Sequence, residues 1–363
     1  MQFSKSTFGY TKNKKLVSLY HVEHASGAYL EVLDYGCRIH SICVPNKVGM
    51  LTDVCLGYPD ITGYENDTSF QGAVIGRHAN RIGNSSFTLN GVSYQLEKNN
   101  GENHLHGGSN GFHAQIWNAV HENNKLIFSR TSLDGEAGYP GNLNITVIYE
   151  WTADFHLKIT YKAVSDKDTV FNITNHTYFN LNGHDILKKT EATADSGISL
   201  QHIDDILNHK LQIFATKMTD ADSNVLPNGT ISSIIGTPFD FRALKKVGKD
   251  IDADNEQLLR AGGYDHNFIL DGTGFRKAAV LQSPDSGIQM TCFTDQPGIQ
   301  VYSGNNLSIF KGKYGEAISR RGAICLETQH FPNATNIPSF PPVVLKANDE
   351  FLSRTSYVFD LIG

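Results

Sequence analysis

A polar stretch around His176 is the part of the chain most suggestive of chemistry. Residues 172–181 read Asn-Ile-Thr-Asn-His-Thr-Tyr-Phe-Asn-Leu, and their β-branched and aromatic residues favour a strand. Three asparagines interrupt that pattern, although strands usually avoid them. A conflict between local propensity and pattern is expected at functional sites more than in a scaffold. The sequence therefore predicts a strand with hydrogen-bonding groups for a ligand such as a sugar, against the alternative that His176 is a satisfied core histidine.

A second signal is a carboxylate placed at the end of an apolar run. Glu327 directly follows four apolar residues, Ala323 to Leu326. Burying a carboxylate is costly unless it is paired or used in chemistry. Glu327 is therefore a candidate acid–base group or ligand.

Two histidines that are separated by one residue suggest a further site. His104 and His106 would share one face of a strand, and Gly107 and Gly108 would let a backbone or ligand approach closely. Such a pair also binds metals in some β proteins, with His113 as a possible third ligand. The competing interpretation is a turn after an edge strand.

Arginine and aspartate supply groups that suit hydroxyls. Arg77 and Arg81 bracket Asn80, and a planar guanidinium can make paired hydrogen bonds. Asp265 precedes an apolar run at residues 268–270, and a carboxylate can accept two hydroxyls. Without further context, a surface ion pair and a turn explain these residues equally well.

The elements that must position these residues are mostly strands. Apolar residues alternate along 143–151 and 157–163, and Asn90-Gly91 joins two alternating runs as a type I′ hairpin requires. Helical periodicity is scarce, with short turns expected near 255–261. No βαβ alternation or Pro/Ser-rich linker is present. We predict an all-β fold, a large antiparallel β-sandwich with few short helices, forming a single domain over residues 1–363, with 195–230 as surface excursions.

Composition narrows the class of protein. The 363 residues are 40% hydrophobic and carry a net charge of −6, from 31 basic and 37 acidic residues. No cluster of basic residues suggests nucleic acid, and no apolar stretch reaches the length of a membrane span. Five cysteines without metal-like spacing are typical of reduced thiols in a cytoplasmic protein.

Taken together, these segments resemble the aldose 1-epimerase (galactose mutarotase) family over nearly the whole chain. Each motif is weak alone, but their joint order and spacing are specific. The matching segments are Ala79-Asn80-Arg81-Ile82, Leu105-His106-Gly107-Gly108, Asn175 to Leu181, Asp265-His266-Asn267-Phe268, Gly298-Ile-Gln300-Val-Tyr302 and Leu326-Glu327-Thr328-Gln329.

The resemblance implies a galactose mutarotase-like sandwich that interconverts the α and β anomers of free hexoses such as galactose and glucose. Glu327 matches the family's general base and His176 its general acid. The resemblance also implies a monosaccharide as the only small-molecule partner, no cofactor and no metal. The oligomeric state, monomer or homodimer, stays open. Positions expected to hold the sugar are Asn80, Arg81, His106, Asp265 and Gln300.

Two departures from the family pattern concern loops. Residues 195–215 look longer than in compact members, so their contacts at the rim are open. Lys346-Ala-Asn-Asp-Glu350 replaces a common Pro-Gly-Glu type of turn and should alter a loop rather than the chemistry.

The expected mechanism predicts the charge states of Glu327 and His176. Glu327 should be ionised near a cation, and His176 should be protonated near neutral pH because a carboxylate favours its charged form. His106 could assist at the ring oxygen, and the sequence does not rank the two histidines.

Three alternatives remain from the sequence. A hexose-6-phosphate 1-epimerase would recruit Arg77, Arg81, Arg320 and Arg321 around a phosphate. A non-catalytic sugar-binding protein would bind without turnover. A metal protein would be built on His104, His106 and His113.

Overall fold

The predicted β architecture is confirmed by a computed structural model that describes residues 1–184 and 205–363. In that part of the chain, an 11-stranded sheet carries most of the predicted site residues. Its spatial order is β1-β2-β3-β4-β5-β17-β28-β25-β22-β19-β20. The strands are β1 (Gln2–Tyr10), β2 (Leu16–Glu23), β3 (Tyr29–Leu33), β4 (Arg38–Pro45), β5 (Leu51–Cys55), β17 (Tyr178–His184), β19 (Ala215–Ala221), β20 (Pro227–Ser233), β22 (Asp265–Leu270), β25 (Gly298–Tyr302) and β28 (Ile324–Gln329).

A second sheet of nine strands packs against the first. Its spatial order is β11-β12-β13-β14-β30-β24-β23-β18-β21. The strands are β11 (Asn118–Glu122), β12 (Lys125–Ser132), β13 (Leu143–Trp151), β14 (His156–Ser165), β18 (Lys210–Ile213), β21 (Lys245–Lys246), β23 (Arg276–Gln282), β24 (Ile288–Thr294) and β30 (Glu350–Leu361). Neighbouring strands in both sheets pair antiparallel.

Short strand pairs and two α-helices lie outside the two large sheets. Asn255 caps the helix α2 (Glu256–Ala261): its side-chain oxygen accepts from the N–H groups of Gln257 and Leu258. The pairs are β6 (Val74–Ile75) with β16 (Thr174–Asn175), β7 (Arg81–Ile82) with β10 (His104–Leu105), β8 (Ser86–Leu89) with β9 (Val92–Gln95), β15 (Thr169–Val170) with β29 (Val344–Leu345), and β26 (Phe310–Lys311) with β27 (Ala317–Ile318). The helices are α1 (Ile61–Glu65) and α2 (Glu256–Ala261), and neither is long and apolar enough to cross a membrane.

The core lies between the two large sheets. Phe179 of β17 and Tyr357 of β30 have ring centroids 5.0 Å apart, and Tyr20 of β2 and Phe128 of β12 are 5.5 Å apart. One cluster of buried apolar side chains draws on both sheets. The single-domain organisation stays a prediction, for which such a shared core is a requirement.

Three local predictions can be compared with the structure. The alternating run 143–151 is β13, and the Asn90-Gly91 turn joins β8 to β9 with both residues in the left-handed region. The interpretation of 195–230 as surface excursions is wrong where it is described, because β18, β19 and β20 lie there in the large sheets. The predicted longer segment 195–215 lies outside the described residues up to 204.

A buried ion pair ties the connection between β26 and β27 to the first sheet. The Lys313 ammonium contacts Asp53 Oδ2 at 2.5 Å and donates to the carbonyl of His40 at 2.6 Å. Asp53 is fully buried and also accepts a hydrogen bond from the Tyr314 hydroxyl at 2.9 Å. The buried charge of each residue is thus compensated by the other.

We expect Lys313→Met to lower the free energy of unfolding by about 3–5 kcal/mol, because it leaves the Asp53 carboxylate buried without its cation. Urea denaturation followed by tryptophan fluorescence measures the change. Lys311→Met is the matched control, since Lys311 is exposed, and should change stability by less than about 0.5 kcal/mol. Equal stabilities for the two variants would contradict this account of the pair.

Candidate active site

Strand register in the first sheet brings polar residues from distant segments into rows. Glu327 of β28 lies opposite Gln300 of β25, which lies opposite Asn267 of β22. In the next row, Asp265 lies opposite Tyr302. Directly opposed residues share a face with their Cβ atoms about 5 Å apart, so these side chains form one polar surface.

His176 lies in a break between two strands rather than inside one. The predicted continuous strand over 172–181 is wrong, because β16 ends at Asn175 and β17 begins at Tyr178. The Asn175 side chain closes the break: its amide nitrogen donates to the Gly72 carbonyl at 2.9 Å, and its oxygen accepts the Thr177 N–H at 3.0 Å. One of the unexpected asparagines thus holds the backbone that carries the histidine.

These residues line a small polar cleft of about 230 Å³. Six of the seven predicted site residues line it: Asn80, Arg81, His106, His176, Asp265 and Glu327. Gln300 is not among the lining residues. The other lining residues are Thr68, Ser69, Phe70, Asn100, Leu105, Tyr178, Tyr302, Asn306 and Leu307.

The predicted acid and base are neighbours. Glu327 Oε1 lies 3.6 Å from His176 Nε2, and the Glu327 side chain is only 2% exposed. Burial raises the pKa of Glu327 well above its usual range, and the charge of Asp265 adds to that shift while Arg81 opposes it. Burial also lowers the pKa of His176 to about 4.

These directions correct the expected charge states. Both shifts penalise the charged form, so in the free protein the proton of the pair is favoured on Glu327. His176 is then neutral at neutral pH, and the expectation of a protonated His176 is wrong for the free protein. A neighbouring carboxylate does not compensate for the loss of water around the imidazole.

A backbone hydrogen bond determines which ring nitrogen of His106 carries the hydrogen. The Asn80 N–H donates to His106 Nδ1 at 3.1 Å, and burial lowers the pKa of His106 well below its usual value. A neutral imidazole with an acceptor at Nδ1 carries its hydrogen on Nε2. His106 therefore offers the cleft a hydrogen-bond donor.

A carboxylate and a guanidinium also meet in the cleft. Arg81 Nη1 lies 4.0 Å from Asp265 Oδ2, and Arg81 Nε donates to the Asn100 side chain at 3.0 Å. Gln300 Nε2 donates to Asp265 Oδ1 at 2.6 Å. Burial raises the pKa of Asp265, with Arg81 and the Gln300 hydrogen bond acting against that shift. Gln300 thus orients Asp265, and its direct contact with sugar stays a prediction.

Sequence reasoning missed part of the cleft wall. Phe70 has a left-handed backbone (φ 60°) and packs its ring 4.8 Å from His106 and 4.7 Å from His113. A bulky residue in this region is an outlier that functional sites tolerate. Neither periodicity nor motif spacing indicated Phe70, whereas Tyr302 stood in a matched motif and Asn100 in an Asn-Gly pair.

The histidine set proposed as a metal site does not assemble in the described residues. His104 Nδ1 bonds to the Glu97 carbonyl, and neither His104 nor His113 lines the cleft. In residues 1–184 and 205–363, the one set with metal-ligand spacing is His106, His176 and Glu327, whose ligand atoms lie within 4.8 Å. Because His106 presents Nε2–H rather than a lone pair, this set does not fit a three-ligand metal site.

Comparison with known proteins identifies the family. The family model described as aldose 1-epimerase matches residues 18–358. The chain belongs to the aldose 1-epimerase family. The resemblance predicted from the motifs is therefore confirmed.

Relatives of this aldose 1-epimerase family member are similar over most of their length. The chain is 37% identical to galactose mutarotase of Bos taurus over 92% of this chain and 91% of the relative, and 35% identical to aldose 1-epimerase of Escherichia coli K12 over 92% of each. Among solved structures, a GalM/aldose epimerase homologue from C. elegans has a TM-score of 0.85 at 28% identity, covering 96% of this chain and 100% of that one. Galactose 1-epimerase from Lactobacillus acidophilus has a TM-score of 0.82 at 25% identity, covering 100% and 99%.

The tautomer of His106 can be tested directly. We expect ring ¹⁵N NMR to show the neutral Nε2–H form from pH 8 down to about 5, because burial and the Asn80 N–H disfavour a proton on Nδ1. His106→Asn assigns the signal by removing it. Titration near pH 6.5, or a hydrogen on Nδ1, would contradict the geometry described above.

Proposed function

We propose that this protein interconverts the α and β anomers of free hexoses such as galactose and glucose, with Glu327 as general base and His176 as general acid. The observation that carries the proposal is the 3.6 Å approach of Glu327 Oε1 to His176 Nε2 inside a small polar cleft. The names of the relatives, galactose mutarotase and aldose 1-epimerase, support the class of substrate.

The reaction needs proton transfer at two atoms of the sugar. Glu327 removes the proton of the anomeric hydroxyl while His176 protonates the ring oxygen, and the ring opens to an aldehyde. The aldehyde rotates about its bond to the next carbon. As the ring closes, Glu327 gives its proton to the anomeric oxygen, and His176 takes its proton back from the hydroxyl that becomes the ring oxygen. General acid–base action of this kind contributes about 10²–10⁴-fold for each group. No hydride or phosphoryl group moves, so the proposal contains no cofactor.

One proton is shared by the catalytic pair. The competent arrangement has Glu327 ionised and His176 protonated, whereas burial favours the neutral arrangement with the proton on Glu327. Both arrangements hold the same number of protons. A proton shift from Glu327 to His176 on sugar binding therefore prepares the pair, and the positive charge of Arg81 favours it by stabilising the carboxylate.

The remaining cleft residues are proposed to hold the sugar. His106 donates its Nε2–H to a ring or hydroxyl oxygen, and Asp265 accepts from hydroxyls. Arg81 and Asn80 donate to neighbouring hydroxyls. Gln300 acts through Asp265, since its amide nitrogen is bonded to that carboxylate at 2.6 Å. Specificity between hexoses then depends on how well these buried groups are satisfied.

The hexose-6-phosphate alternative is less well supported by the positions of the arginines. In the described structure only Arg81 of the four candidates lines the cleft. Arg77 donates to the carbonyls of Pro140 and Gly141, and Arg321 pairs with Asp252. Turnover of free galactose with no activity on glucose 6-phosphate is the expected outcome of a direct comparison.

A cytoplasmic location and a monomeric or homodimeric state remain proposals. The five cysteines are all buried and form no disulfide with one another, which is typical of a reducing compartment. Size-exclusion chromatography with light scattering measures the assembly.

Glu327→Gln is expected to abolish mutarotation of freshly dissolved α-galactose, measured by polarimetry, because an amide cannot accept the anomeric proton. Sugar binding measured by calorimetry should be largely kept, since the amide has nearly the same size. Glu350→Gln, at an exposed position of β30, is the matched control and should be fully active. Near-normal activity of Glu327→Gln would remove Glu327 from the base role, and sugar binding without turnover by the unaltered protein would favour the non-catalytic alternative.

The pH profile of kcat/KM should be bell-shaped, because the pair works only with one proton. As pH falls through about 4, the pair gains a second proton: His176 becomes protonated while Glu327 stays protonated, so activity is lost on the acid side. As pH rises through the raised pKa of Glu327, the pair loses its proton and activity falls again. Polarimetric rates corrected for uncatalysed mutarotation, with fluorescence as a check on folding, measure both limbs. An acid limb near pH 6 would contradict this order of pKa values.

A further inference from the structure

Two buried amide side chains lie in the sheet beyond the cleft. Asn267 stands at the end of the row formed by Glu327 and Gln300, and Gln329 follows Glu327 by two positions on β28. Residues two apart on a strand share a face. Asn267 is 2% exposed and Gln329 is 0% exposed, and neither lines the cleft.

All the amide atoms of these two side chains lack a protein partner. Within the described residues, Nδ2 and Oδ1 of Asn267 and Nε2 and Oε1 of Gln329 have no hydrogen bond. The same holds for Oε1 of Gln300 and for Oε2 of Glu327, the oxygen that does not face His176. Buried polar atoms in folded proteins almost always have a partner, and ordered water supplies it where protein does not.

Gly298 shows where the Asn267 amide lies. A Cβ atom at Gly298 would stand 2.5 Å from Asn267 Oδ1 and 3.2 Å from a ring carbon of Phe331. The amide therefore lies over Gly298, whose partner on β28 is Gln329. The glycine makes room for the amide on the side of Gln329, away from Asp265 and the cleft.

We propose that Asn267 and Gln329 hold ordered water against Oε2 of Glu327, and that they are positioning residues for the catalytic carboxylate. A buried water needs two to four polar partners, and these amides with Glu327 and Gln300 provide them. A hydrogen bond to the carboxylate favours its ionised form, so this water acts against the effect of burial. The proposal rests on the base role of Glu327 proposed above.

The other charged and titratable groups around Glu327 are left unchanged by substitutions at the two amides. Asp265 raises and Arg81 lowers the pKa of Glu327. The remaining groups near the carboxylate are His176, His106, Tyr178, Tyr302, Cys325 and Tyr357.

Gln329→Leu and Asn267→Leu remove the amide dipoles while filling similar space. Each substitution should move the midpoint of the alkaline limb of the kcat/KM profile about one pH unit higher, which is the effect of losing one hydrogen bond to a charged group. The plateau should fall about tenfold, because the arrangement with the proton on His176 becomes rarer by the same factor. Damage to the fold alone would lower the plateau without moving the limb.

Gln296→Leu is the matched control. Gln296 is also buried with an unpartnered Oε1, but its amide nitrogen bonds to Ser353 of β30 rather than standing in the rows of the cleft. Its pH profile should match that of the unaltered protein. Folded Gln329→Leu and Asn267→Leu variants with unshifted limbs would overturn the proposal.

A high-resolution crystal structure of the unaltered protein gives a second readout that does not depend on activity. Water within hydrogen-bond distance of both Glu327 Oε2 and an amide of Asn267 or Gln329 is expected, and its absence would overturn the proposal even if the variants fail to fold. If Glu327→Gln kept its activity, the base role would fail while this structural test would still decide whether the water is held.

Discussion

The burial of the Glu327 carboxylate is the constraint on which the rest of the site depends. An ionised carboxylate removed from bulk water is destabilised, and its neighbour His176 is also buried. Each group alone would lose its charge, as the directions of their pKa shifts indicate. Together they keep one proton that can move between them over a short distance. Because the proposed reaction runs in both directions, each group must act as an acid in one direction and as a base in the other, and a pair that holds a single proton can do both.

Such a pair must be held in place by rigid elements. Glu327 is carried by β28 in the middle of the larger sheet, and the Tyr357 hydroxyl of the second sheet donates to the neighbouring Leu326 carbonyl at 3.0 Å. Residues on strands are positioned more tightly than residues on loops. His176 lies just before β17 of the same sheet, after the short strand β16, and Asn175 and the bond from the His176 N–H to the Ala73 carbonyl at 2.8 Å fix this connection. The proposed acid and the proposed base are therefore both held by the backbone of the first sheet and the segments bonded to it.

How much could be predicted from the sequence depended on the range of the interactions involved. Period-2 alternation along 143–151 and the Asn90-Gly91 turn are local signals, and both correspond to elements of the structure. Family motifs identified the residues that meet in the cleft, whereas composition and spacing alone left open whether His176 is a satisfied core histidine. The break at His176 could not be predicted, because a side chain to backbone bond to the distant Gly72 decides it. The exclusion of His104 from the cleft could not be predicted either, because it depends on the bond of its ring to the Glu97 carbonyl. The predicted charge of His176 was wrong for a similar reason, because the burial that lowers its pKa is a property of the packed structure and not of the local sequence.

The strained wall of the cleft needs support from outside it. Phe70 keeps its left-handed backbone in a loop whose ends are fixed by the buried guanidinium of Arg38, which donates to the Gln71 carbonyl at 2.7 Å and to Asp67 at 3.4 Å. Asp67 Oδ2 also accepts the Gln71 N–H at 2.7 Å. A lone cation at this place would lower the pKa of His176 further, yet Asp67 raises it while Arg38 lowers it. The ion pair thus anchors the loop with charge-assisted hydrogen bonds, and its two charges act on the pKa of the histidine in opposite directions.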